Sequence, residues 1–359
     1  MNKKVILIFG LFLIVLGLGY FIFNWFFTYT PTGKLMTKKE YSVLLLKEDY
    51  NNSRLYHDTV KELELAKKIL AIKGDDVEAK LDLARAYLDG ASLEFKEEEY
   101  AQEALKVIGE VLAKDPNNTK AILLRGYVYE VEEKYKEAIS DYSLVIEKEP
   151  NNSIAYNTRG HAYDLSGDIS MAKVDYLKAY ELNPGDEGVL MNLARTYSRE
   201  GNNDEAAKYA NLTIQNSIIS YTKATAYNVL ASIALRKQDY YDAIGKSTLA
   251  IETYNNFTPA YLNRAKARIV PVNNSTNLKF TAEEEILIKS DLDKVLSIQN
   301  DNSTAYVLYG LFESTRGNIK QAIDYFEKGK SLVDQDISLG LNEKKVLKDT
   351  VDLFIKFSQ

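Results

Sequence analysis

Hydrophobic residues follow two different patterns along the chain, and the first is a continuous apolar run near the N-terminus. From Val5 to Phe27 nearly every residue is apolar, and Asn24 is the only clearly polar one. A helix of this length spans about 34 Å, which is enough to cross a hydrocarbon core of about 30 Å. Aromatic residues collect at the end of the run, where they favour the headgroup region of a bilayer. Residues 1–30 are therefore predicted to form one transmembrane signal-anchor helix, with residues 5–27 in contact with the lipid bilayer.

The charges that flank the apolar run predict its orientation. Lys3 and Lys4 lie directly before it, whereas the next lysine, Lys34, lies farther from the apolar core. Positive residues tend to stay on the cytoplasmic side, so the N-terminus is predicted to lie inside and the rest of the chain outside the cytoplasm. A cleaved signal peptide is an alternative that the small residues Gly17 and Gly19 keep open, although no Ala-x-Ala cleavage site follows them.

The second pattern is a set of apolar, small and charged positions that recurs every 34 residues. Large residues at helical spacing, separated by turns such as Pro-Asn-Asn, predict pairs of helices. One helix pair cannot bury its apolar face alone, so such pairs are predicted to stack. In residues 119–152 the landmarks are Arg125, Gly126, Ala138, Asp141, Tyr142 and Pro150, and in residues 153–186 they recur as Arg159, Gly160, Ala172, Asp175, Tyr176 and Pro184.

These landmarks resemble the tetratricopeptide repeat (TPR) family, whose 34-residue unit has large residues at positions 4, 7, 11 and 24 and small ones at positions 8 and 20. The resemblance implies an all-α fold, a right-handed α-solenoid of about seven helix-turn-helix repeats. Each repeat consists of a first helix, helix A, and a second, helix B. The array is predicted to cover residues 77–336, in copies at 77–118, 119–152, 153–186, 187–220, 224–257, 258–302 and 303–336.

Segments outside the regular copies are predicted to join, extend or cover the array. Residues 31–76 are predicted to hold a juxtamembrane segment and a degenerate helix pair. Residues 337–359 are predicted to form a capping helix, because the end of a solenoid needs a cover for its last apolar face. Two copies are longer than 34 residues, with insertions around 92–99 and 271–281. Both insertions are predicted to be surface loops, which tolerate extra residues well.

Positions 7 and 23 of the copies change together. Position 7 is arginine in three copies and position 23 is aspartate in the same three, whereas neither residue occurs there in the other four. Each arginine is therefore predicted to cross from helix A to the aspartate on helix B of its own copy. Loss of one partner would leave an uncompensated buried charge, so these pairs are predicted to be structural and not catalytic. They are Arg125 with Asp141, Arg159 with Asp175, and Arg264 with Asp291.

The TPR resemblance also implies a peptide-binding groove, lined by helix A positions 2, 5, 6, 9, 12 and 13. Asparagine recurs there four times, and its amide can both donate to and accept from an extended peptide backbone. Several basic residues favour an acidic or carboxylate-bearing segment as the ligand. The alternative interpretation is a solvated helix face in a chain rich in asparagine. The candidate groove residues are Asn157, His161, Asn192, Arg195, Arg199, Asn228, Arg236, Asn263 and Lys266.

Composition argues against several classes of chemistry. The chain has no cysteine and only two histidines, which excludes disulfides, thiolate metal sites and cysteine nucleophiles. A net charge of -6 disfavours a general nucleic-acid binder. No phosphate-binding loop, GxSxG, HExxH or dinucleotide-binding fingerprint occurs in the sequence. We therefore predict no catalytic residues, no metal, no cofactor and no nucleic-acid partner, and the oligomeric state stays open.

Together these features predict a single-pass membrane protein whose TPR array is a protein–protein interaction scaffold. Its partner is predicted to be a peptide or protein segment, and its role to be in envelope assembly. The abundance of Lys, Asn and Tyr indicates a bacterial cytoplasmic membrane, with the array on the extracytoplasmic side. Two alternatives stay open. One is a cytoplasm-facing adaptor for a membrane-associated assembly or proteolysis complex, and the other is an enzyme that uses the 271–281 insertion.

Overall fold

A computed structural model describes residues 27–29, 35–55, 58–91, 97–275 and 278–334, and eight residues between 344 and 356. The predicted transmembrane run, residues 5–27, lies outside these ranges except for its last residue. No helix within the described ranges is long and apolar enough to cross a bilayer. Phe27 belongs to a short strand. The prediction that the anchor helix continues through residues 27–29 is therefore wrong.

Two short strands precede the helices, and the sequence analysis did not predict them. Strand β1 is Phe27–Tyr29 and strand β2 is Leu35–Thr37, and they pair antiparallel with Thr28 opposite Met36. Aromatic and β-branched residues favour strands, and the sequence between them, Thr-Pro-Thr-Gly-Lys, is rich in turn-forming residues. The all-α prediction is thus confirmed for the array but wrong for this short pair.

Sixteen helices follow within the described residues, and most of them are three to four turns long. They bury alanine, leucine, valine and tyrosine side chains that recur at helical spacing. In chain order they are α1 (Lys38–Leu55), α2 (Thr59–Lys73), α3 (Val77–Ala91), α4 (Glu97–Lys114), α5 (Thr119–Val131), α6 (Tyr135–Lys148), α7 (Ser153–Leu165), α8 (Ile169–Leu182), α9 (Glu187–Arg199), α10 (Asn203–Asn216), α11 (Ser220–Arg236), α12 (Tyr240–Thr253), α13 (Thr258–Asn273), α14 (Ala282–Ile298), α15 (Ser303–Thr315) and α16 (Ile319–Leu332).

The chain divides into two compact units, residues 1–172 and 173–359, and the division falls within α8. In the first unit successive helices contact one another from α1 through α7, and in the second unit from α9 through α16. Alternate helices also touch. In the first unit α3 contacts α5, and in the second α9 contacts α11, α11 contacts α13, and α13 contacts α15. Helix A of one pair therefore stacks on helix A of the next, as a repeat array requires.

A glycine on helix A makes room for an aromatic ring on helix B in both units. A Cβ atom built on Gly126 of α5 would lie 2.4 Å from Cε1 of Tyr142 on α6. A Cβ atom built on Gly310 of α15 would lie 2.7 Å from Cδ1 of Phe326 on α16. Both rings are buried. The absence of a side chain at these two positions thus lets each helix pair close around its largest core residue.

Asparagine side chains begin several of the A helices. Oδ1 of Asn118, Asn152 and Asn302 each accepts a hydrogen bond from the backbone N–H three residues later, at 3.0, 3.1 and 2.9 Å. Such an N-cap satisfies one of the backbone donors that the first turn of a helix leaves unpaired. Part of the asparagine abundance in this chain is therefore explained by helix starts and not by binding.

The predicted insertion at 271–281 is only partly a loop. Helix α13 continues through Pro271 and Val272, and Val272 is buried. The apolar face of α13 thus extends into the insertion, which explains why this helix is longer than the 13-residue A helices α5, α7, α9 and α15. Beyond the helix, the ring of Phe280 packs on Phe312 of α15 with centroids 5.2 Å apart. The loop prediction is therefore wrong for residues 271–273.

The other predicted insertion, around 92–99, begins outside the described residues, which omit 92–96. Glu97, Glu98 and Glu99 form the first turn of α4. Acidic side chains favour the N-terminus of a helix because they complement its dipole. The loop prediction is wrong for these three residues.

Only eight residues of the predicted capping segment, 337–359, are described. Among them, Val351 is fully buried and packs with Val307, Ala322 and Phe326 of α15 and α16. A contact of this kind covers apolar side chains that the last helix pair would otherwise expose to water.

Candidate binding surface

The first predicted ion pair is present in the first unit. Arg125 on α5 donates from Nε and Nη2 to the two carboxylate oxygens of Asp141 on α6, each at 2.7 Å. The side chain of Asp141 is 9% exposed and that of Arg125 is 33% exposed. The hydrogen bonds to Asp141 raise the pKa of Arg125, so the guanidinium stays charged. Two parallel hydrogen bonds therefore join helix A to helix B at the edge of the core.

The second unit contains the same pair in a more buried form. Arg264 on α13 donates from Nε and Nη2 to Asp291 on α14, at 3.1 and 2.7 Å. Arg268, one turn later on α13, donates to the same carboxylate at 2.5 Å, a contact that the sequence analysis did not predict. The side chains of Arg264, Arg268 and Asp291 are only 18%, 12% and 3% exposed. Burial lowers the pKa of Arg268, and the charge of Asp291 opposes that effect.

The third predicted pair, Arg159 with Asp175, has one residue in each unit and stays a prediction. Within the first unit, Arg159 on α7 donates from Nη1 to Oγ of Ser143 on α6 at 3.1 Å. Arg264 makes the equivalent contact in the second unit, from Nη1 to Oγ1 of Thr248 on α12, also at 3.1 Å. Ser143 and Thr248 both stand at position 25 of the preceding copy. Position 7 therefore links one copy to the one before it.

The last copy makes the same link with a different side chain. Tyr309 replaces arginine at position 7, and its hydroxyl donates to the carboxylate of Asp293, which stands at position 25 of the preceding copy. Its ring stacks on that of Tyr325, with centroids 4.9 Å apart. Burial and the hydrogen bond to Asp293 raise the pKa of Tyr309, so the phenol keeps its proton.

Polar side chains link the A helices of the second unit along one surface. Nδ2 of Asn263 on α13 donates to Oδ1 of Asn228 on α11 at 2.8 Å and to Oγ of Ser232 at 3.1 Å. At the end of α11, Nη2 of Arg236 donates to Oγ of Ser198 on α9 at 3.0 Å. These contacts connect α9, α11 and α13. We call this surface the amide–basic face, and it consists of Asn192, Arg195, Arg199, Asn228, Arg236, Asn263 and Lys266.

Several groups of the amide–basic face are free to meet a ligand. Arg195 and Lys266 are exposed. Arg195 and Lys266 form no hydrogen bond or ion pair with another residue of the described ranges. The same is true of Nδ2 of Asn228 and Oδ1 of Asn263. The face thus presents two unpaired cations together with one amide donor and one amide acceptor.

These groups are suited to binding a ligand through ion pairs and hydrogen bonds. Guanidinium and ammonium groups pair with carboxylates, and amides pair with main-chain N–H and C=O groups. In the part of the chain that the structure describes, no group of three or more His, Asp or Glu side chains could hold a metal ion.

Two of the nine predicted groove residues, Asn157 and His161, lie in the first unit and do not belong to the amide–basic face. His161 on α7 contacts Glu130 on α5, with Nδ1 and Oε2 2.9 Å apart. The side chain of His161 is 46% exposed and that of Glu130 only 9%. Glu130 is thus a largely buried acid that His161 engages through Oε2, and its role was not predicted from the sequence.

A second buried acid of the first unit was also missed. The side chain of Glu62 on α2 is 1% exposed, and Oε1 lies 3.4 Å from Nε of Arg54. Removal from water and the negative charge of Asp89 raise the pKa of Glu62 to about 7, and Arg54 opposes the shift. No repeat landmark occurs in residues 37–76, so the repeat pattern gave no signal for this site.

The comparison with known protein families concerns the middle of the chain. The family model of the tetratricopeptide repeat matches residues 154–186. Over these residues the chain is similar to a TPR. The match falls on the copy predicted at 153–186 and supports the resemblance drawn from the repeat landmarks. No curated protein matches the chain.

Solved structures share the TPR-like fold. The APC/C hetero-tetramer Cut9–Hcn1 has a TM-score of 0.63 at 15% identity, over 86% of this chain and 55% of that one. Yeast Tom70 has a TM-score of 0.51 at 18% identity, over 84% and 58% of the two chains. PilW, a widely conserved type IV pilus biogenesis factor, has a TM-score of 0.51 at 13% identity, over 64% and 98%. The chain spans little more than half of the first two, and at these identities the likeness shows an all-helical TPR-like solenoid and nothing finer.

The TPR position rule also applies to the A helices of the first unit, where the sequence analysis named no groove residue before Asn157. Arg85 and Asp89 on α3 stand at positions 9 and 13, and Glu130 on α5 stands at position 12. The structure places all three around one pocket. The repeat alignment could have identified them, because it assigns those positions to the groove.

Proposed function

We propose that the chain is a membrane-anchored TPR scaffold that holds an acidic protein segment against the amide–basic face. TPR folds bind protein or peptide partners, and the support for this face is its side-chain arrangement. Asn263 and Asn228 pair across two successive A helices and still keep one acceptor and one donor for a segment's backbone. The unpaired cations Arg195 and Lys266 would meet its carboxylates.

The anchoring part of the proposal rests on residues 5–27, whose apolar run is long enough to cross a bilayer. We propose that this segment holds the scaffold at a bacterial cytoplasmic membrane, with the array on the extracytoplasmic side in envelope assembly. The chain has no native cysteine, so Lys120→Cys would create its only thiol. Lys120 is exposed on α5.

Labelling of that thiol by a membrane-impermeant maleimide would test the topology. Labelling in intact cells supports the extracytoplasmic array. Labelling only after lysis would instead support the cytoplasm-facing adaptor. Release of the chain from membranes by alkaline carbonate would contradict the anchor in either orientation.

The binding part can be tested with a displayed library of random peptides, selected on the full chain in lipid nanodiscs. We expect enrichment of peptides rich in Asp and Glu. The combined change Arg195→Glu and Lys266→Glu should weaken the selected peptides at least about tenfold, since each reversed charge repels a carboxylate. Lys320→Glu on α16, another exposed lysine of the second unit, is the matched control. Selected peptides without acidic residues, or equal losses in the control, would rule out the amide–basic face.

A further inference from the structure

The first unit contains a pocket between the A helices α3 and α5, with a volume of about 230 Å³. Leu88, Leu124 and Val131 give it an apolar wall, and Asp89 and Glu130 place two carboxyl groups on the same lining. An apolar wall beside a few polar groups is the usual composition of a binding site. The pocket is therefore suited to a group that is apolar along its length and charged at its tip.

Glu130 supplies the observation that points to a ligand. Its side chain is nine-tenths buried, and Oε2 is engaged with His161. Oε1 is buried as well and receives no hydrogen bond of normal geometry, although the buried hydroxyl of Tyr142 also interacts with Glu130. A buried carboxylate oxygen without a donor is unfavourable. A donor that enters the pocket beside Glu130 would remove that deficit.

The remaining charges of the pocket favour a cation. Asp89 adds a second carboxylate, whose Oδ2 lies 3.6 Å from Nε of Arg54 on α1. Arg85 lines the same pocket and forms no hydrogen bond or ion pair within the described ranges. Two carboxylates against the single guanidinium of Arg85 leave the lining with a net negative charge. The donors of Arg85 are available to an acceptor that accompanies the cation.

We propose that this pocket takes a lysine or arginine side chain from a protein segment. The aliphatic stem packs on Leu88 and Leu124, as the stems of such side chains do on apolar surfaces. The charged head donates to Glu130 and Asp89, and Arg85 donates to a main-chain carbonyl of the same segment. The site is separate from the amide–basic face and prefers the opposite charge, so it stands or falls independently of the proposed function.

The probe for this site is the fluorescent peptide acetyl-Gly-Leu-Lys-Leu-Gly-amide, titrated into the full chain in nanodiscs. We expect saturable binding that weakens about tenfold or more when norleucine replaces the lysine, because norleucine keeps the stem and lacks the charge. Glu130→Gln, which keeps the shape of the side chain, should weaken the lysine peptide by a similar factor and leave the norleucine peptide unchanged.

Two controls make the result specific, and a second acid substitution guards against misfolding of the first. Glu137→Gln changes an exposed acid at the start of α6 and should leave both peptides unaffected. The combined change Arg195→Glu and Lys266→Glu should also leave lysine-peptide binding unchanged, which separates this site from the amide–basic face. Should Glu130→Gln fail to fold, Asp89→Asn gives the same comparison. Equal affinity for the two peptides, no binding of the lysine peptide, or no effect of either acid substitution would overturn the proposal.

Discussion

The two units contain the same repeat scaffold but differ in how fully their buried charges are compensated. In the second unit Asp291 is almost fully buried and receives hydrogen bonds from two guanidinium groups, those of Arg264 and Arg268. In the first unit Asp141 is paired with a single, partly exposed arginine. The same unit also buries Glu62, whose pKa is raised by removal from water and by the negative charge of Asp89, while Arg54 opposes the shift.

This difference shows what the repeat pattern constrains. Helix packing determines which residues occupy positions 8 and 24, and the glycine–ring contacts at Gly126 and Gly310 are alike in the two units. The effect of a buried charge on stability depends on how well nearby opposite charges compensate it. The repeat pattern does not specify those neighbours. A substitution at a packing position should therefore act alike in both units, and a substitution at a buried charge should not.

The largest effect is expected from Asp291→Ala. This change leaves Arg264 and Arg268 buried without their acceptor, which should lower the free energy of unfolding by about 3–5 kcal/mol. Asp141→Ala should cost less, about 1–3 kcal/mol, because Arg125 can turn toward water. Urea unfolding followed by circular dichroism measures both changes. Equal losses of stability from the two aspartate substitutions would contradict the difference between the units.

The pairing itself can be tested by removal of both partners. Arg125→Leu combined with Asp141→Ala should recover much of the loss, because no buried charge is left without compensation. Asp324→Ala on α16, an exposed aspartate, is the control and should change stability little. If the double variant is as unstable as Asp141→Ala alone, the two residues do not act as a pair.

An intermediate effect, equal in the two units, is expected at the packing glycines. Gly126→Ala and Gly310→Ala would each place a methyl group against a buried ring, which should cost about 1–3 kcal/mol. Gly109→Ala and Gly245→Ala are matched controls, since a Cβ at either position meets nothing within 4 Å. Because alanine favours a helix over glycine, these controls should gain up to about 1 kcal/mol. Thermal unfolding should show a loss of stability for the changes at Gly126 and Gly310 and a gain for the two controls. A gain at Gly126 or Gly310 would contradict the close packing.

The positions that sequence reasoning identified correctly are those that repeat. The pairs of helices, the glycine at position 8 and the correlation of positions 7 and 23 all recur at a fixed spacing. Arg125 with Asp141 and Arg264 with Asp291 could therefore be placed in contact from the sequence alone. Periodicity works here because each copy must present the same surface to its neighbours.

The features that sequence reasoning missed depend on single copies. Arg268 reaches Asp291 because α13 lacks the usual aromatic residue at position 11 and carries an arginine there. The helix extension through Val272 follows from apolar residues inside an insertion, where no other copy offers a comparison. Glu130 was missed for another reason. It stands at a groove position, but its burial and its unpartnered oxygen depend on how α5 and α7 pack.

The smallest effect is expected from Glu62→Gln, and it should depend on pH. The folded chain holds the Glu62 proton up to about pH 7, whereas an unfolded glutamate releases it near its ordinary value of 4.5. The folded state therefore binds more protons between these two values, and its stability falls as the pH rises through that window. Glutamine imitates the protonated acid, so the variant should be more stable than the parent by about 1–2 kcal/mol near pH 6 and nearly unchanged at pH 4.5. Glu64→Gln is the matched control, because its exposed carboxyl, paired with Lys68, has a lowered pKa and should give no such gain. Urea unfolding at the two pH values measures the difference, and a gain of the same size at pH 4.5 would show that it does not come from the charge of Glu62.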